Sequence, residues 1–345
     1  MKINVIKQNK TGGTHWTGHP KPPPAKANET SGNEINKTEK VFKTFDELID
    51  LLAERGVDLD GKAKRNYALK VLEKHGYYNI INGYNKLFLV DDGSEMFKEG
   101  TTIDEINALF QFDRVLRNIF FRYIVEVETS IKSLVAHYFS EIHGYKNYLV
   151  YTNFNTSLRD SESKIMSLIA DIHHQTAHRS TDPSIAHYLK NHGYIPLWVL
   201  NNILTLGTIS KFYSLMLPAE RQKVSKHFEM LDVDLENALL YISQVRNFCA
   251  HGNRIYCFRT KATLVNTDFH EELGIQKNDE NEYIYGKRDL FACLIALKKI
   301  LSKNDFRRMK KELSMSIKTL SKKLQILTEN EILGEMGFPP NWTDL

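Results

Sequence analysis

From residue 103 onward, apolar side chains recur at steps of three and four: Ile106, Leu109, Phe110, Val115, Leu116, Ile119, Phe120, Tyr123, Ile124, Val127, Ile131, Leu134, Val135 and Tyr138. That spacing lines one side of an α-helix, and it predicts a single long core helix over residues 103–143. Before it, Phe45, Leu48, Ile49 and Leu52 share a face behind Thr44 as N-cap and Glu47 at the capping-box position, with Gly56 as the stop. A second short helix is expected at residues 62–74. After a loop at residues 144–156, helices follow at residues 161–178, 289–301 and 305–327. Residues 196–216 are apolar nearly all round, with Pro196 in the first turn and Gly207 as a point of breakage or close packing. Residues 260–285 are polar and irregular, with room for a short hairpin ending in Glu282-Tyr283-Ile284-Tyr285. The fold class expected is therefore all-α. The division expected is a tail over 1–40, an N-terminal helical subdomain over 41–100, a main helical domain over 101–330 and a C-terminal tail over 331–345.

One helix ends in unusual chemistry. Leu235, Leu239, Ile242, Val245 and Cys249 make the core stripe of a helix that starts near Asp232 or Asp234 and runs into Arg246-Asn247-Phe248-Cys249-Ala250-His251-Gly252-Asn253-Arg254-Ile255-Tyr256. At 100° per residue Asn247 and His251 lie about 40° apart, whereas Arg246 lies about 140° from His251. Gly252 can end the helix and let the imidazole turn away from that register. An Arg and a His at this spacing arise by chance about once or twice in a chain of this composition. Arg221 and His227 are such a second match, in what reads as an exposed helix.

Composition narrows the functions. With 345 residues, 42% of them hydrophobic, the chain can bury a large core, and a formal charge of +4 makes the placement of charge matter more than its sum. Residues 1–40 are rich in Lys, Asn, Thr, Gly and Pro and lack the apolar surface to offset ordering entropy. The three cysteines Cys249, Cys257 and Cys293 form no Cys-x-x-Cys pair and no disulfide framework. With no apolar run long enough for a signal peptide or a span, a cytoplasmic protein is expected, with no membrane partner.

Basic residues gather towards the C-terminal end, among them Lys299, Arg307, Arg308 and Lys311, against only Asp305 and Glu312. They form either an RNA-facing surface or a solvated one. Tyr77, Tyr78 and Tyr84 either stack on unpaired bases or pack a subdomain. Glu128 and Lys132 form an i,i+4 pair that is either solvated or turned to a site. His174 and His178 have the spacing of two metal ligands but no third beside them. No metal and no cofactor are expected.

Several of these segments resemble bacterial Abi-like proteins, the AbiD/AbiF type of abortive-infection protein in the HEPN superfamily. They are Tyr77-Tyr78-Asn79-Ile80-Ile81-Asn82-Gly83-Tyr84, Phe112-Asp113-Arg114-Val115-Leu116-Arg117, Glu128-Thr129-Ser130-Ile131-Lys132, Pro196-Leu197-Trp198-Val199-Leu200 and Arg246-Asn247-Phe248-Cys249-Ala250-His251. The resemblance implies an all-α HEPN fold and metal-independent endoribonuclease chemistry, with Arg246 and His251 catalytic and Asn247 beside them. It implies an RNA partner, as substrate or as a small structured non-coding RNA, and no DNA. HEPN nucleases build their site from two facing motifs, so a homodimer is expected.

The residue chemistry agrees. RNA carries its own nucleophile, the 2′-hydroxyl, so cleavage needs alignment, proton transfer and charge stabilisation at phosphorus. Arg246 can hold a phosphate bidentately, and His251 belongs to the residue type that titrates near neutrality. General acid, general base and phosphate ligand all stay open for His251. Arg117, Lys132, Asn253, Arg254 and Tyr256 join the C-terminal cations as RNA-binding candidates, and Glu128 is a supporting one. A non-catalytic protein that clasps a cognate small RNA is the alternative.

Overall fold

The computed structural model describes residues 41–345; the expected N-terminal tail, residues 1–40, lies outside the described residues. The helices are α1 Phe45–Glu54, α2 Lys62–His75, α3 Ile103–His143, α4 Ser161–His178, α5 Pro183–His192, α6 Leu197–Leu200 and α7 Leu206–Leu215. They continue with α8 Pro218–Lys226, α9 Asp232–Ala250, α10 Asp268–Glu272, α11 Leu290–Ile300, α12 Lys303–Ser321 and α13 Glu329–Met336. No β-strand occurs among the described residues, and the only pairings outside helices are the isolated bridges Leu89–Phe97 and Lys277–Tyr283. The fold is all-α, and the expected hairpin shrinks to one bridge.

α3 is the axis of the molecule. Thr102 caps it by accepting a hydrogen bond from the Glu105 amide, and its apolar stripe from Ile106 to Phe139 is buried against α9, α11 and α12. α11 is buried on every side from Leu290 to Leu297 and fills the centre between α3 and α9. A helix apolar all round has no face to give to water, so this position follows from its composition.

Three expectations change. The 196–216 segment breaks at residues 201–205 rather than at Gly207: the Thr205 side chain accepts from the Thr208 amide and starts α7, leaving Gly207 inside its first turn. Arg221 is not exposed but 6% accessible, paired with Asp232 at 3.1 Å and Glu236 at 2.6 Å, so it ties α8 to α9. Residues 331–345 do not trail away, because Phe338, Trp342 and Leu345 are buried. Lys43–Leu345 is one compact unit, with residues 43–100 included in it.

Candidate active site

α3 and α9 run antiparallel, and two carboxylates on α3 hold the end of α9 and the segment beyond it. Glu128 meets Arg246 in the last turns of α9, and Asp113 meets Ile255 and Tyr256 after the helix has ended. The two carboxylates are fifteen residues apart, roughly 22 Å along the α3 axis. They define two separate hollows.

The first hollow is a cleft of about 930 Å³ whose lining includes Glu128, Lys132, Ser140, Trp198, Asn201 and Arg246. Glu128 is buried, and its two oxygens are divided between Lys132 Nζ at 2.7 Å and Arg246 Nε at 3.3 Å. Among the described residues the one side-chain hydrogen bond of Arg246 uses Nε, so its two terminal amino groups remain available to the cleft. The guanidinium also lies 5.8 Å from the Phe121 ring centroid. Glu128 therefore fixes the guanidinium without consuming its bidentate face.

The helix that carries Arg246 ends about one turn later in a Schellman arrangement. The Gly252 amide donates to the Cys249 carbonyl at 3.2 Å and the Asn253 amide to the Phe248 carbonyl at 3.1 Å. Gly252 takes φ +71°, the left-handed region in which a side chain is strained. His251 is the C-cap, exposed, and forms no side-chain hydrogen bond among the described residues; Asn247, one turn earlier, is exposed too. Cys249 faces the core, where burial pushes its thiol up to about 12, so it supplies no thiolate.

The second hollow, about 500 Å³, lies around Gly252, Asn253 and Arg254, with Lys74, Arg114 and Arg117 in its wall and no carboxylate among its lining residues. Asp113 is fully buried behind it. One carboxylate oxygen accepts from the Ile255 and Tyr256 amides at 2.9 and 2.8 Å, the other from the Tyr84 hydroxyl at 2.8 Å and Arg117 Nη2 at 2.9 Å. Arg117 Nε then donates to the Asn253 carbonyl at 3.0 Å, and Arg254 donates to the Gly83 carbonyl. Burial, followed by the nearby Asp113 charge, raises the Tyr84 phenol, which stays a hydrogen-bond donor. The segment after His251 is thus tied to α3 and to the turn at Gly83 in one network.

The candidates sort accordingly. Arg246, Glu128 and Lys132 meet in the cleft, and Arg117, Asn253 and Arg254 meet in the cationic hollow. His251 lines neither, and among the described residues no side-chain hydrogen bond joins it to Arg246. Tyr256 is 1% exposed and stacks on Tyr84 with ring centroids 5.4 Å apart, so its ring is core and not open to RNA. Of the three N-terminal tyrosines, Tyr78 alone is exposed. Arg307, Arg308 and Lys311 are exposed on α12, with Arg308 paired to Asp305, while Lys299 shares a different hollow with Asp232 and Asp234; none of the four lines the cleft. The ring nitrogens of His174 and His178 lie 3.1 Å apart, and no group of three or more potential metal ligands occurs among the described residues.

Asp113, Trp198, Asn201 and Ser140 are site residues that the pattern of the chain did not single out. Asp113 had a signal, its i,i+4 spacing to Arg117. Asn201 and Ser140 had none.

Glu128→Gln keeps the shape of the side chain and removes the charge that fixes Arg246. For the ribonuclease activity that the family resemblance implies, it is expected to lower kcat roughly 10- to 100-fold with little change in KM, since a misplaced guanidinium harms alignment more than association. An unchanged kcat would remove Glu128 from any positioning role.

A family model described as Abi-like protein matches residues 70–257, a stretch that holds both hollows' α3 and α9 residues. No curated protein and no solved structure matches the chain.

Proposed function

The chain belongs to the Abi-like protein family, and on that premise we propose that it is an abortive-infection ribonuclease of the HEPN type that cleaves RNA without a metal, as a cytoplasmic homodimer. The observation that carries this reading is Arg246: a guanidinium anchored through Nε on buried Glu128, its terminal amino groups open to a cleft beside Lys132. Such a group binds the non-bridging oxygens of a phosphate and stabilises the charge that grows on them at the transition state.

The reaction is an attack of the 2′-oxygen on the adjacent phosphorus. The P–O2′ bond forms and the P–O5′ bond breaks, one proton leaves the 2′-hydroxyl and one reaches O5′, and the products are a 2′,3′-cyclic phosphate and a 5′-hydroxyl. His251 is the group assigned to one of the two proton transfers. It is exposed at the helix end and apart from Arg246 within one chain, which supports a site completed by a second copy whose own Arg246 and His251 face the first pair.

A second reading is favoured by the hollow of Lys74, Arg114, Arg117 and Arg254, whose four cations suit a phosphate backbone, with His75 also in the lining. There the protein clasps a small structured RNA and turns nothing over. Extraction and sequencing of the RNA retained by the wild type and by the Arg246→Ala/His251→Ala double variant separates the two. Cleaved fragments on the wild type and intact RNA on the variant support the nuclease. One intact RNA on both supports the clasp, and no RNA on either removes both.

A further inference from the structure

The wall of the Arg246 cleft holds two buried acceptors with nothing to accept. Asn201 is 3% exposed, and its Nδ2 donates to the Lys132 carbonyl at 2.6 Å, which fixes the orientation of the amide. Among the described residues its buried Oδ1 has no partner, and the same is true of Ser140 Oγ. Both residues line the cleft. A buried polar atom without a partner is costly, and pairing comes either from solvent or from whatever the cleft takes in.

Trp198 lines the same cleft. It is 52% exposed although the rest of its short helix is buried, and Tyr145 meets it at a tilt, with ring centroids 5.6 Å apart at 48°. A tilted neighbour does not stack over the indole, and half of its surface stays accessible. The cleft therefore presents three features in one cavity: an exposed aromatic ring, unpaired hydrogen-bond acceptors, and the cations Arg246 and Lys132. An isolated phosphate suits the cations but is repelled by an amide oxygen. An apolar ligand suits the indole and leaves the acceptors unpaired. A nucleotide meets all three, with a base that stacks and offers N–H groups at its edge and a phosphate joined to it through the ribose.

We infer that the cleft is a base-binding subsite in which an unpaired RNA base stacks on Trp198 and donates to Asn201 Oδ1, placing its phosphate towards Arg246. This rests on the RNA reading above and deepens it. Trp198 supplies the stacking surface, Asn201 and Ser140 meet the base edge, and Arg246 receives the anion. The subsite explains how a sequence-independent cation can act at a chosen position: the base, not the phosphate, sets which bond lies at Arg246.

The test is equilibrium binding of single-stranded RNA of about 12 nucleotides to the full-length His251→Ala protein, with and without Trp198→Ala or Trp198→Phe, across a salt series. Trp198→Ala is expected to weaken binding roughly 5- to 100-fold, with Trp198→Phe recovering most of it, because stacking needs a ring and not an indole. The slope of log affinity on log salt should stay the same, since no phosphate contact is lost. An oligonucleotide with one abasic nucleotide at the stacked position should bind equally to both proteins. RNA binding that is untouched by Trp198→Ala overturns the subsite and leaves the RNA reading standing. Absence of RNA binding by the Trp198-containing protein and by the wild type overturns both. A shift of the dimer to monomer in Trp198→Ala, with unchanged RNA affinity per folded chain, assigns Trp198 to a contact between copies and overturns the subsite.

Discussion

Arg246→Ala and His251→Ala should each lower RNA cleavage by about 10²- to 10⁴-fold, the range for losing a transition-state charge clamp or a proton-transfer group. The two differ in how they fail. Arg246 is partly buried, and without it Glu128 keeps only Lys132, so its loss removes the phosphate clamp and disturbs the cleft. His251 is exposed and bonded to nothing through its side chain among the described residues, so His251→Ala should leave the thermal midpoint and RNA affinity close to wild type while cleavage falls. Activity retained in His251→Ala, with the fold intact, would exclude the proton-transfer role.

Asp113→Ala should be the most damaging change to stability, at about 3–5 kcal/mol in denaturant unfolding. Its carboxylate is fully buried and accepts four hydrogen bonds, two from backbone amides, one from Tyr84 and one from Arg117. Alanine leaves all four donors without an acceptor and Arg117 without its ion-pair partner. Asp113→Asn keeps one oxygen for the two amides and should cost less, about 1–3 kcal/mol. A midpoint unchanged by Asp113→Ala would mean that the network does not hold the segment after His251.

The long elements were legible because their information is local. The apolar steps of three and four from Ile106 to Tyr138 define α3, and the capping signals at Thr44 and the glycine after His251 define the start of α1 and the end of α9. The family was legible as well, from short segments on α3 and α9, at α6 and at the turn around Tyr78–Asn82. What stayed hidden depends on distant partners. Asp113 and Ile255 are joined across 142 residues of chain, and nothing in the neighbourhood of either announces the other. Arg221 looked solvated because its own turn of helix is polar; Asp232 and Glu236, which bury it, belong to the next helix. Tyr256 stood among the RNA-binding candidates because it closes the stretch that begins at Arg246, yet Tyr84 stacks on its ring and the side chain is buried. The 140° offset between Arg246 and His251 on an ideal helix was visible from spacing alone. The structure keeps them apart, Arg246 in the cleft and His251 at the exposed helix end.

The central claim is that this helix end cleaves RNA by its own 2′-hydroxyl. The direct measurement is to incubate purified full-length protein with end-labelled single-stranded RNA in excess EDTA and determine the chemistry of the new ends. The expected products carry 2′,3′-cyclic phosphate and 5′-hydroxyl ends and are absent in Arg246→Ala and in His251→Ala. Cleavage that stops in EDTA, 3′-hydroxyl ends, or the same products from either variant would contradict it.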